Sequence, residues 1–589
     1  MSRFWIFLLG FLFTLQFSIA QQKPIFDQWF YPNTGLPKKA VTILFQDSLS
    51  LRPFQNHQPI SFESPLINQP ISAQYRIPSA KVPETFTLEI GLLNHVNEPI
   101  GFEIKAGEKW HIGVWENHLY LKTAEDDYSP IPLDPWREYW SHLVLAVDQG
   151  QMILFENGKK VGAFSFLSSE EELVINGYFH QEPYMQLDDY VKHLAIYPDL
   201  WDEEQAKKSF GNHQNLTLSG NRFPDRFHFL AEPYLFQIDS TTMQIIVETD
   251  RQSTVELTFG TELPLQNKLQ LSPKKDNLFT TQLGNLESGK AYFYQIKANS
   301  NENEQLDSGV LTFKTSPSSK MPIVFGVVSD TEARPHINEH IGLKIWDERP
   351  DFVLHMGDVT DGGKEKNKWQ WTQEYFPGVS ALTSRIPMVP VPGNGEGDLF
   401  WYNYYHPQAN PGGFYKMESG PATFFILNSN QSGELQPGGK QYEWMKTQLA
   451  TNKSKWKFVA MHHAPYSADE DDYGNTWKGK STFGDRKLQP LILLLEEAGV
   501  DVYFFGHLHN YMRSFPLKGD QLDEKNGIHY VQLGGMGGNL EDFAPNHILF
   551  SEKTFRGFHY GMVSLTPNRF ELRVYNTEGA MVDRLEIKK

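Results

Sequence analysis

The chain contains no cysteine among its 589 residues. Disulfide bonds, thiolate metal ligands, a thiol nucleophile and a lipid-modified amino-terminal cysteine are therefore excluded. A protein of this size without disulfides depends on large hydrophobic cores for its stability. The length predicts three or four domains, because a single core stops growing at about 250–300 residues.

Positive charge is scarce. The chain has 53 Lys and Arg against 71 Asp and Glu, which gives a formal net charge of −18 at pH 7. This balance argues against a nucleic-acid-binding or anionic-membrane-binding surface. It does not exclude a local cationic pocket, which bound metal ions would themselves create.

Long apolar runs are missing except at the amino terminus. Residues 1–20 combine Arg3, an apolar run over residues 4–15 and small residues at 18–20. This pattern predicts a cleaved signal peptide and a secreted or periplasmic bacterial protein. The alternative is an uncleaved membrane anchor. The length of the run disfavours it, because a span needs about 20 apolar residues and Gln16 interrupts this one.

Two regions after the predicted signal peptide have β-type patterns. Residues 21–75 are rich in Pro, Asn, Gln and Phe, and predict a loosely structured lead-in or the first strands of the next domain. Residues 76–226 alternate apolar and polar positions between turn residues, which predicts an all-β domain. Within it, Asn157-Gly158 between two strand-like runs predicts a hairpin. Residues 227–316 show the same alternation and predict a second, smaller sandwich.

Residues 320–589 alternate apolar runs with amphipathic helical patterns, which predicts an α/β sandwich. Five short apolar runs in this region are each followed by Asp, Asn or His. Because the carboxyl ends of parallel strands meet at one edge of a sheet, these side chains predict one metal site. The five motifs are Ser329-Asp330, Gly357-Asp358, Gly393-Asn394, His462-His463 and Gly506-His507-Leu508-His509.

The order of these motifs resembles that of the calcineurin-like metallophosphoesterases, and of the purple acid phosphatases among them. The likeness extends to residues 441–444, 462–466, 500–514 and 534–539. It implies two divalent metal ions, Mn, Zn or Fe, held by oxygen and imidazole ligands. It also implies hydrolysis of phosphate esters, with monoesters favoured, by attack of a metal-bound hydroxide on phosphorus.

The resemblance further implies how the ligands divide between the two metals. Asp358 would bind both. His463 is a candidate catalytic residue beside them, and Arg334 is a candidate phosphate clamp, because a guanidinium grips phosphate with two hydrogen bonds. The remaining ligands form two groups, Asp330 and His509 for one metal and Asn394, His462 and His507 for the other.

Three positions depart from the family pattern. Glu332 replaces a His ligand, and it either binds the metal through oxygen or points away from it. Asp361 stands where purple enzymes place the Tyr that binds ferric iron, so a divalent pair is expected. Gly395 replaces a His that contacts phosphate and helps to protonate the leaving group. The candidates to replace that acid are His463, His336 and Glu396.

The two β regions carry resemblances of their own. Residues 76–226 resemble concanavalin-like, laminin-G-type modules through 140–148, 155–162 and 187–197. Residues 227–316 resemble the fibronectin type III domain that precedes the catalytic domain of purple acid phosphatases. The predicted protein is therefore multidomain, with a β jelly-roll sandwich, a small β-sandwich and an α/β (αββα) metallophosphoesterase sandwich.

Two functions follow as hypotheses. The first is an exported phosphoesterase that acts on a phosphorylated small molecule or polymer. The alternative is a glycan- or surface-binding protein with a degenerate metallophosphoesterase domain, in which the amino-terminal module binds the glycan. Glu332 and Gly395 favour the alternative, whereas the nearly complete ligand set opposes it.

Overall fold

The computed structural model describes most of the chain after residue 71 and two short segments before it. The predicted signal peptide lies outside the described residues, as does most of the predicted lead-in. The described ranges are 23–30, 42–46, 71–81, 83–93, 101–107, 110–115, 118–124, 127–134, 140–166, 172–178, 185, 187–221, 223–319, 321–407, 412–469, 484–544 and 550–589.

The first part of the chain, here called the amino-terminal module, is built almost wholly from antiparallel strands. Its elements are β1 (Phe26–Trp29), β2 (Thr42–Gln46), β3 (Ile71–Lys81), β4 (Thr85–Leu93), β5 (Gly101–Ala106), β6 (Trp110–Trp115), β7 (His118–Ala124), β8 (Asp127–Pro132), β9 (Trp140–Asp148), β10 (Gln151–Glu156), β11 (Lys159–Ser165), β12 (Glu172–Tyr178), α1 (Leu187–Tyr190), β13 (Val191–Tyr197) and α2 (Glu203–Ser219).

These strands form two sheets. One has the order β1-β13-β4-β9-β10-β11 and the other β2-β3-β12-β5-β6-β7-β8. Alternate apolar residues of both sheets form one buried cluster, as expected for two sheets packed face to face. The predicted hairpin at Asn157-Gly158 joins β10 to β11, and both residues have the positive φ that such a turn requires.

The sequence of residues 202–210 predicts a short helix, and helix α2 extends beyond it to Ser219. Asp202 and Gln205 form a capping box at its start, and Gly220 ends it with a φ of 74°. The helix packs on the outer face of the six-stranded sheet, where Ala206 joins a small apolar cluster with Val144 and Trp201. It therefore covers a sheet face that would otherwise be exposed.

A second, smaller module follows. Four- and five-stranded antiparallel sheets enclose its apolar core. Its strands are β14 (Phe229–Asp239), β15 (Thr242–Thr249), β16 (Ser253–Gly260), β17 (Asn267–Leu271), β18 (Pro273–Lys275), β19 (Leu278–Leu283), β20 (Ala291–Ser300), β21 (Gln305–Asp307) and β22 (Leu311–Lys314). The amino-terminal module and this second module each consist of two sheets. Their assignments as a jelly roll and a fibronectin type III domain stay predictions.

The remainder of the chain, here called the catalytic module, mixes strands and helices. Its elements are β23 (Ile323–Val328), α3 (Pro335–Asp347), β24 (Phe352–His355), α4 (Phe376–Thr383), β25 (Met388–Pro390), α5 (Phe400–Tyr405), β26 (Tyr415–Ser419), β27 (Ala422–Ile426), α6 (Lys440–Thr451), β28 (Trp456–Ala460), α7 (Gln489–Glu497), β29 (Val502–Phe505), β30 (Tyr511–Ser514), β31 (Leu517–Lys518), β32 (Gln521–Leu522), β33 (His529–Leu533), β34 (Ser551–Phe555), β35 (His559–Thr566), β36 (Arg569–Asn576) and β37 (Met581–Lys588).

Two mixed sheets form the centre of this module. Their orders are β25-β24-β23-β35-β36-β37 and β26-β27-β28-β29-β33-β30-β34. Within them, β23, β24 and β25 are parallel, and so are β27, β28, β29 and β33. Parallel neighbours place their carboxyl ends at the same edge of the sheet, which is where the motif residues follow.

Aromatic side chains fill the space between the two sheets of the catalytic module. The ring of Phe325 stacks on Phe352 at 5.1 Å and meets Phe424 edge-on at 5.2 Å, measured between ring centroids. Phe458 and Phe504 extend the cluster at 6.1 and 6.3 Å from Phe325. This packing fixes the separation of the two sheets and hence the relative positions of their strand ends.

One segment differs from its predicted helix. The amphipathic pattern of residues 366–376 predicts a regular helix, but the chain forms a short 3-10 turn over Glu365–Asn367 and a π-helical turn over Gln370–Tyr375 before α4 begins. The π-turn buries Trp371 and Glu374. Apolar periodicity alone does not distinguish these helix types, because the π-turn depends on what its side chains pack against.

Buried polar contacts hold the modules together. Glu248 of β15 is 1% exposed and accepts hydrogen bonds from Lys368 at 2.8 Å and Tyr405 at 2.7 Å in the catalytic module. The carbonyl of Gly220, after α2, accepts a hydrogen bond from Thr372 at 2.6 Å. Helix α2 and the second module therefore both contact the region that precedes α4.

Within the part of the chain that the structure describes, no helix has both the length and the apolar character needed to cross a membrane.

The aromatic cluster gives a stability prediction. We expect Phe325→Ala to lower the free energy of unfolding of the catalytic module by about 3–5 kcal/mol, because it leaves a cavity between the sheets. Hydrogen exchange of the β23 and β29 amides measures this module separately from the others. Leu343→Ala on the exposed face of α3 is the control and should change the value by less than about 0.5 kcal/mol. A loss below about 1 kcal/mol for Phe325→Ala would contradict the packing account.

Candidate metal centre

The motif residues lie at adjoining strand ends. Asp330 follows β23, Asp358 follows β24 and Asn394 follows β25 in one sheet. His462 follows β28 and His507 follows β29 in the other sheet. Since the two sheets pack face to face, all five positions meet at one edge of the catalytic module.

Two groups of potential ligands result. In the first, one side-chain donor atom each from Asp358, His462 and His507 lies within 4.8 Å of the others. In the second, the same holds for Asp330, Glu332 and His509. The backbone amide of His507 donates to the carboxylate oxygens of Asp330 at 3.0 and 3.1 Å, so the two groups are direct neighbours.

Backbone carbonyls orient two of the imidazoles. His462 places Nδ1 2.8 Å from the carbonyl of Met356, so Nδ1 carries a proton and Nε2 faces the site. That Nε2 is buried and has no hydrogen-bond partner among the described residues, and it lies 3.2 Å from Asp358 Oδ2. An imidazole with one nitrogen on a backbone carbonyl and the other directed at a carboxylate is the arrangement that metal-binding histidines adopt, and a bound metal ion would displace any proton on Nε2.

His509 is oriented in the same way. Its Nδ1 lies 2.8 Å from the carbonyl of Asn539, which leaves Nε2 directed at the carboxylates. The Nε2 atom is 3.2 Å from Glu332 Oε1 and 3.6 Å from Asp330 Oδ1. Glu332 therefore points into the second group, and of the two alternatives that the sequence left open, the geometry favours binding through oxygen.

Charge in the site favours cations. Burial would lower the pKa of His462, but Asp358 and Asp330 raise it to about 9. Burial would also lower the pKa of His509. The carboxylates of Glu332 and Asp330 outweigh burial and raise this pKa well above its usual value. Both imidazoles thus lie where negative charge attracts a cation. Carboxylate, amide and imidazole donors without sulfur suit divalent Mn, Zn or Fe, so the residues present fit a pair of such ions.

The backbone at the site is unusual. Asp330, Glu332, Asp358 and His507 have φ values of 56°, 35°, 49° and 73°. A non-glycine residue in this left-handed region costs about 1–3 kcal/mol and persists only where the surrounding structure enforces it. The concentration of four such residues at the five strand ends indicates that the fold sacrifices stability to direct these side chains into one cleft.

Glycines allow the loops to approach closely. A Cβ atom on Gly506 would lie 1.9 Å from Ser329 Oγ and 2.4 Å from Asp330 Oδ2. A Cβ on Gly538 would lie 2.7 Å from the His509 ring. These positions therefore require glycine, because the neighbouring loops leave no room for a side chain. A side chain at Gly506 would displace Asp330 itself.

Gly395 is also held by its surroundings. Its amide donates to Asp358 Oδ1 at 2.6 Å, and its carbonyl accepts from the amides of Gly362 and Gly363. A Cβ at Gly395 would lie 1.9 Å from the carbonyl oxygen of Thr360. The loop after β24 thus occupies the space that the histidine of the family pattern would need.

The three candidates for the missing acid lie in different environments. His463 has its ring 4.6 Å from the ring of His507, and burial together with His462 lowers its pKa to about 4. Glu396 is fully buried and accepts from the backbone amides of Val359 and Gly393, so it joins two loops. His336 is buried near the start of α3. Of the three, only His463 is partly exposed beside the ligands.

Arg334 is placed by contacts within the protein. Its guanidinium donates to the carbonyl of Gly537 and to Asn539 Oδ1, both at 2.9 Å. Asn539 in turn orients His509 through its carbonyl. Arg334 therefore holds the loop that positions a predicted ligand, and its role as a phosphate clamp stays a prediction.

The structure brings the charged and imidazole ligands of the prediction together. Asn394 lies beside them at an exposed position, between two glycines that pack on Asp358. Sequence reasoning missed the residues that orient the others. Ser429 contacts His463, and Glu541 accepts from the His509 amide at 2.7 Å. Ser429 follows the apolar run of β27, as the motif residues follow their strands, and this was the available signal for it. Glu541 follows no such run.

Comparison with known proteins agrees with this geometry. Residues 323–511 match the family model described as calcineurin-like phosphoesterase. The chain is 25% identical over 303 residues to "Probable inactive purple acid phosphatase 27" of Arabidopsis thaliana. The aligned residues cover 43% of this chain and 48% of that protein. It is 27% identical over 299 residues to "Probable purple acid phosphatase 20" of the same plant, with coverages of 46% and 65%.

A solved structure extends the likeness to the fold. The purple acid phosphatase from yellow lupin (Lupinus luteus) seeds aligns over 88% of this chain and 92% of its own, with a TM-score of 0.55 and 15% identity. The chain spans about half the length of the first curated relatives it matches. The protein thus contains a calcineurin-like phosphoesterase domain, and purple acid phosphatases are among its homologues.

The position of Glu332 gives a metal-binding prediction. We expect Glu332→Gln to weaken one of two Mn²⁺ sites by at least about 10–100-fold, the loss typical of partners that support metal ligands. Calorimetric titration resolves the two sites. Glu497→Gln, exposed on α7, should leave both unchanged. Two sites of wild-type affinity in Glu332→Gln would show that this carboxylate does not bind metal.

Proposed function

We propose that the protein is a metal-dependent phosphoesterase, exported from a bacterial cell, that hydrolyses phosphate esters. The observation that carries this proposal is the pair of adjoining ligand groups, each of which combines carboxylate and imidazole donors in a cleft at the strand ends. The family match over residues 323–511 supports the same reaction class. Monoesters are the favoured substrates, because the relatives reported above carry the name purple acid phosphatase.

The charge of the substrate explains why such a site is needed. Phosphate esters resist hydrolysis because their anionic oxygens repel an incoming nucleophile. Two divalent cations about 3.5–4 Å apart would neutralise this charge and lower the pKa of water enough to supply hydroxide near neutral pH. In this chain Asp358, His462, His507 and Asn394 would hold one cation, and Asp330, Glu332 and His509 would hold the other.

We propose His463 as the residue that donates a proton to the leaving group. The hydroxyl of Ser429 accepts from the amide of His463 at 3.0 Å, so its own proton is directed at Nδ1 of the same residue, 2.7 Å away. With Nδ1 as acceptor, the ring proton resides on Nε2. A neutral imidazole with a proton on Nε2 beside the ligands can protonate a leaving alkoxide, the task that the family assigns to the position of Gly395.

The alternative function is binding without catalysis. In it, the amino-terminal module recognises a glycan or surface partner and the metal domain is degenerate. Gly395 and the word "inactive" in the name of one relative favour this alternative. The close packing around Gly395 counts against simple decay, because the carbonyl of Thr360 lies against Gly395 and the Gly395 amide donates a hydrogen bond to Asp358.

Turnover tests the proposal directly. We expect the protein, supplied with Mn²⁺ or Zn²⁺, to hydrolyse p-nitrophenyl phosphate, and Asp358→Ala to lower kcat/KM by about 10³-fold or more, since the ligands together provide several kcal/mol of transition-state stabilisation. Asp347→Ala, at an exposed position at the end of α3, is the matched control and should keep the wild-type kcat/KM. Bound metal without turnover of mono- or diesters would overturn the proposal and favour the alternative.

A second experiment tests the role of His463. We expect His463→Gln to lower the turnover of alkyl phosphates by about 10²–10⁴-fold, because a poor leaving group needs a proton. Turnover of p-nitrophenyl phosphate should fall much less, since p-nitrophenolate leaves without one. Ser429→Ala should show a smaller loss with the same substrate dependence. Equal losses for both substrates would exclude His463 as the acid.

A further inference from the structure

A second cluster of imidazole and carboxylate groups comes from residues that precede the motifs by more than 100 positions in the sequence. It occupies the outer face of the six-stranded sheet in the amino-terminal module, under helix α2. One donor atom each from Glu89, His142 and His213 lies within 4.8 Å of the others. His193 adds a third imidazole, with Nδ1 3.9 Å from Glu89 Oε2.

The register of the sheet explains the convergence. His142 on β9 and His193 on β13 are both paired with Gly91 on β4, one from each side. Glu89 is two residues earlier on β4, so its side chain is on the same face. His213 comes from α2 and fills the space above Gly91, where an added Cβ would lie 3.3 Å from its ring.

The donor atoms lie close enough together for one small metal ion after small shifts of their side chains. Glu89 Oε1 lies 2.8 Å from His142 Nε2, a hydrogen-bond distance that a bound ion would lengthen, and 3.5 Å from His213 Nε2. Tetrahedral zinc with bonds of about 2.0–2.1 Å holds neighbouring donor atoms about 3.3 Å apart. One carboxylate and three imidazoles are also a donor set that zinc takes up.

One of the nitrogen atoms that face the carboxylate is not accounted for by hydrogen bonds, whereas His142 Nε2 is hydrogen-bonded to Glu89 Oε1 at 2.8 Å. His193 gives Nε2 to Asp27 at 2.9 Å, which leaves Nδ1 directed at Glu89. That Nδ1 is buried and has no hydrogen-bond partner among the described residues, because 3.9 Å is too long for one. A carboxylate on one imidazole nitrogen with the other nitrogen left over is how proteins orient metal-binding histidines.

The carboxylate and the rings are also held in place. The hydroxyls of Tyr197 and Ser209 donate to Glu89, the first at 3.1 Å. The indole of Trp29 stacks on His193 and His213, with ring centroids 4.2 and 5.4 Å apart. Glu89 itself is 1% exposed. Burial of this charge is costly unless cations or hydrogen bonds compensate it.

We propose that Glu89, His142, His193 and His213 bind one Zn²⁺ ion that fixes helix α2 to the six-stranded sheet. His193 Nδ1 would have to move towards the three donor atoms that already lie within 4.8 Å of one another, and four protein ligands would then leave no open position, so the ion is structural. The carbonyl of Gly220, directly after α2, accepts from Thr372 of the catalytic module. The ion therefore stabilises the end of the helix that contacts the catalytic module. This site is separate from the proposed catalytic metals.

Metal content and cobalt spectra test the site in the full-length chain. Protein stripped of metal and reloaded with Zn²⁺ should contain one equivalent more in wild type than in His213→Gln. Tetrahedral Co²⁺ absorbs strongly in the visible range. The band should persist in Asp330→Ala/Asp358→Ala, which removes a carboxylate from each catalytic group. It should weaken strongly in His213→Gln and in Glu89→Gln, and Zn²⁺ should raise Tm in wild type more than in these two variants.

His118→Gln on β7, in the opposite sheet, is the matched control and should keep the wild-type zinc content. The same zinc content in wild type, His213→Gln and Glu89→Gln would overturn the proposal and leave a network held by hydrogen bonds alone. Loss of the cobalt band in Asp330→Ala/Asp358→Ala would overturn it as well. The double variant gives this decision even where His213→Gln or Glu89→Gln does not fold.

Discussion

The close approach of the loops that follow β23, β24 and β29 is the constraint on which the candidate metal centre depends. These loops carry Asp330, Asp358 and His507, and they meet only because glycines leave no side chain between them. The aromatic packing between the two sheets fixes the distance across which they meet. The positive φ values at these three residues destabilise the fold locally, and the packing of the core compensates for this cost.

Electrostatics follows from this geometry. Carboxylates that are forced together repel one another, and buried carboxylates favour the protonated form. In this site two of the imidazoles lie against carboxylates, while burial lowers the pKa of His463 and His507. The result is a cleft with negative charge at the metal positions and neutral rings beside them. Such a cleft attracts divalent cations despite the strongly negative net charge of the chain, and bound cations then attract a phosphate group.

The sequence predicted much of the catalytic module and less of the others. Short apolar runs that end in Asp, Asn or His indicate both a buried parallel strand and its functional end, so β23, β24, β25, β28 and β29 could be located. A multidomain chain with a metallophosphoesterase-like domain was also predicted and is confirmed. The π-helical turn before α4 and the length of α2 were not predicted, because both depend on packing against distant elements.

Residues that orient other residues were the hardest to predict. Ser429 and Asn539 act through one hydroxyl or one carbonyl, and Glu396 through two backbone amides. None of these contacts produces a periodic pattern. The cluster around Glu89 draws on positions far apart in the sequence, and only the register of β4 with β9 and β13 brings them together. A single sequence carries no local signal for such a site.

Anomalous X-ray scattering from crystals grown with Mn²⁺ tests the central claim most directly. The account predicts two peaks about 3.5–4 Å apart at the strand ends, with Asp358 between them and Glu332 and His509 beside one of them. A single peak, or none at these residues, would contradict a two-metal centre and with it the proposed reaction.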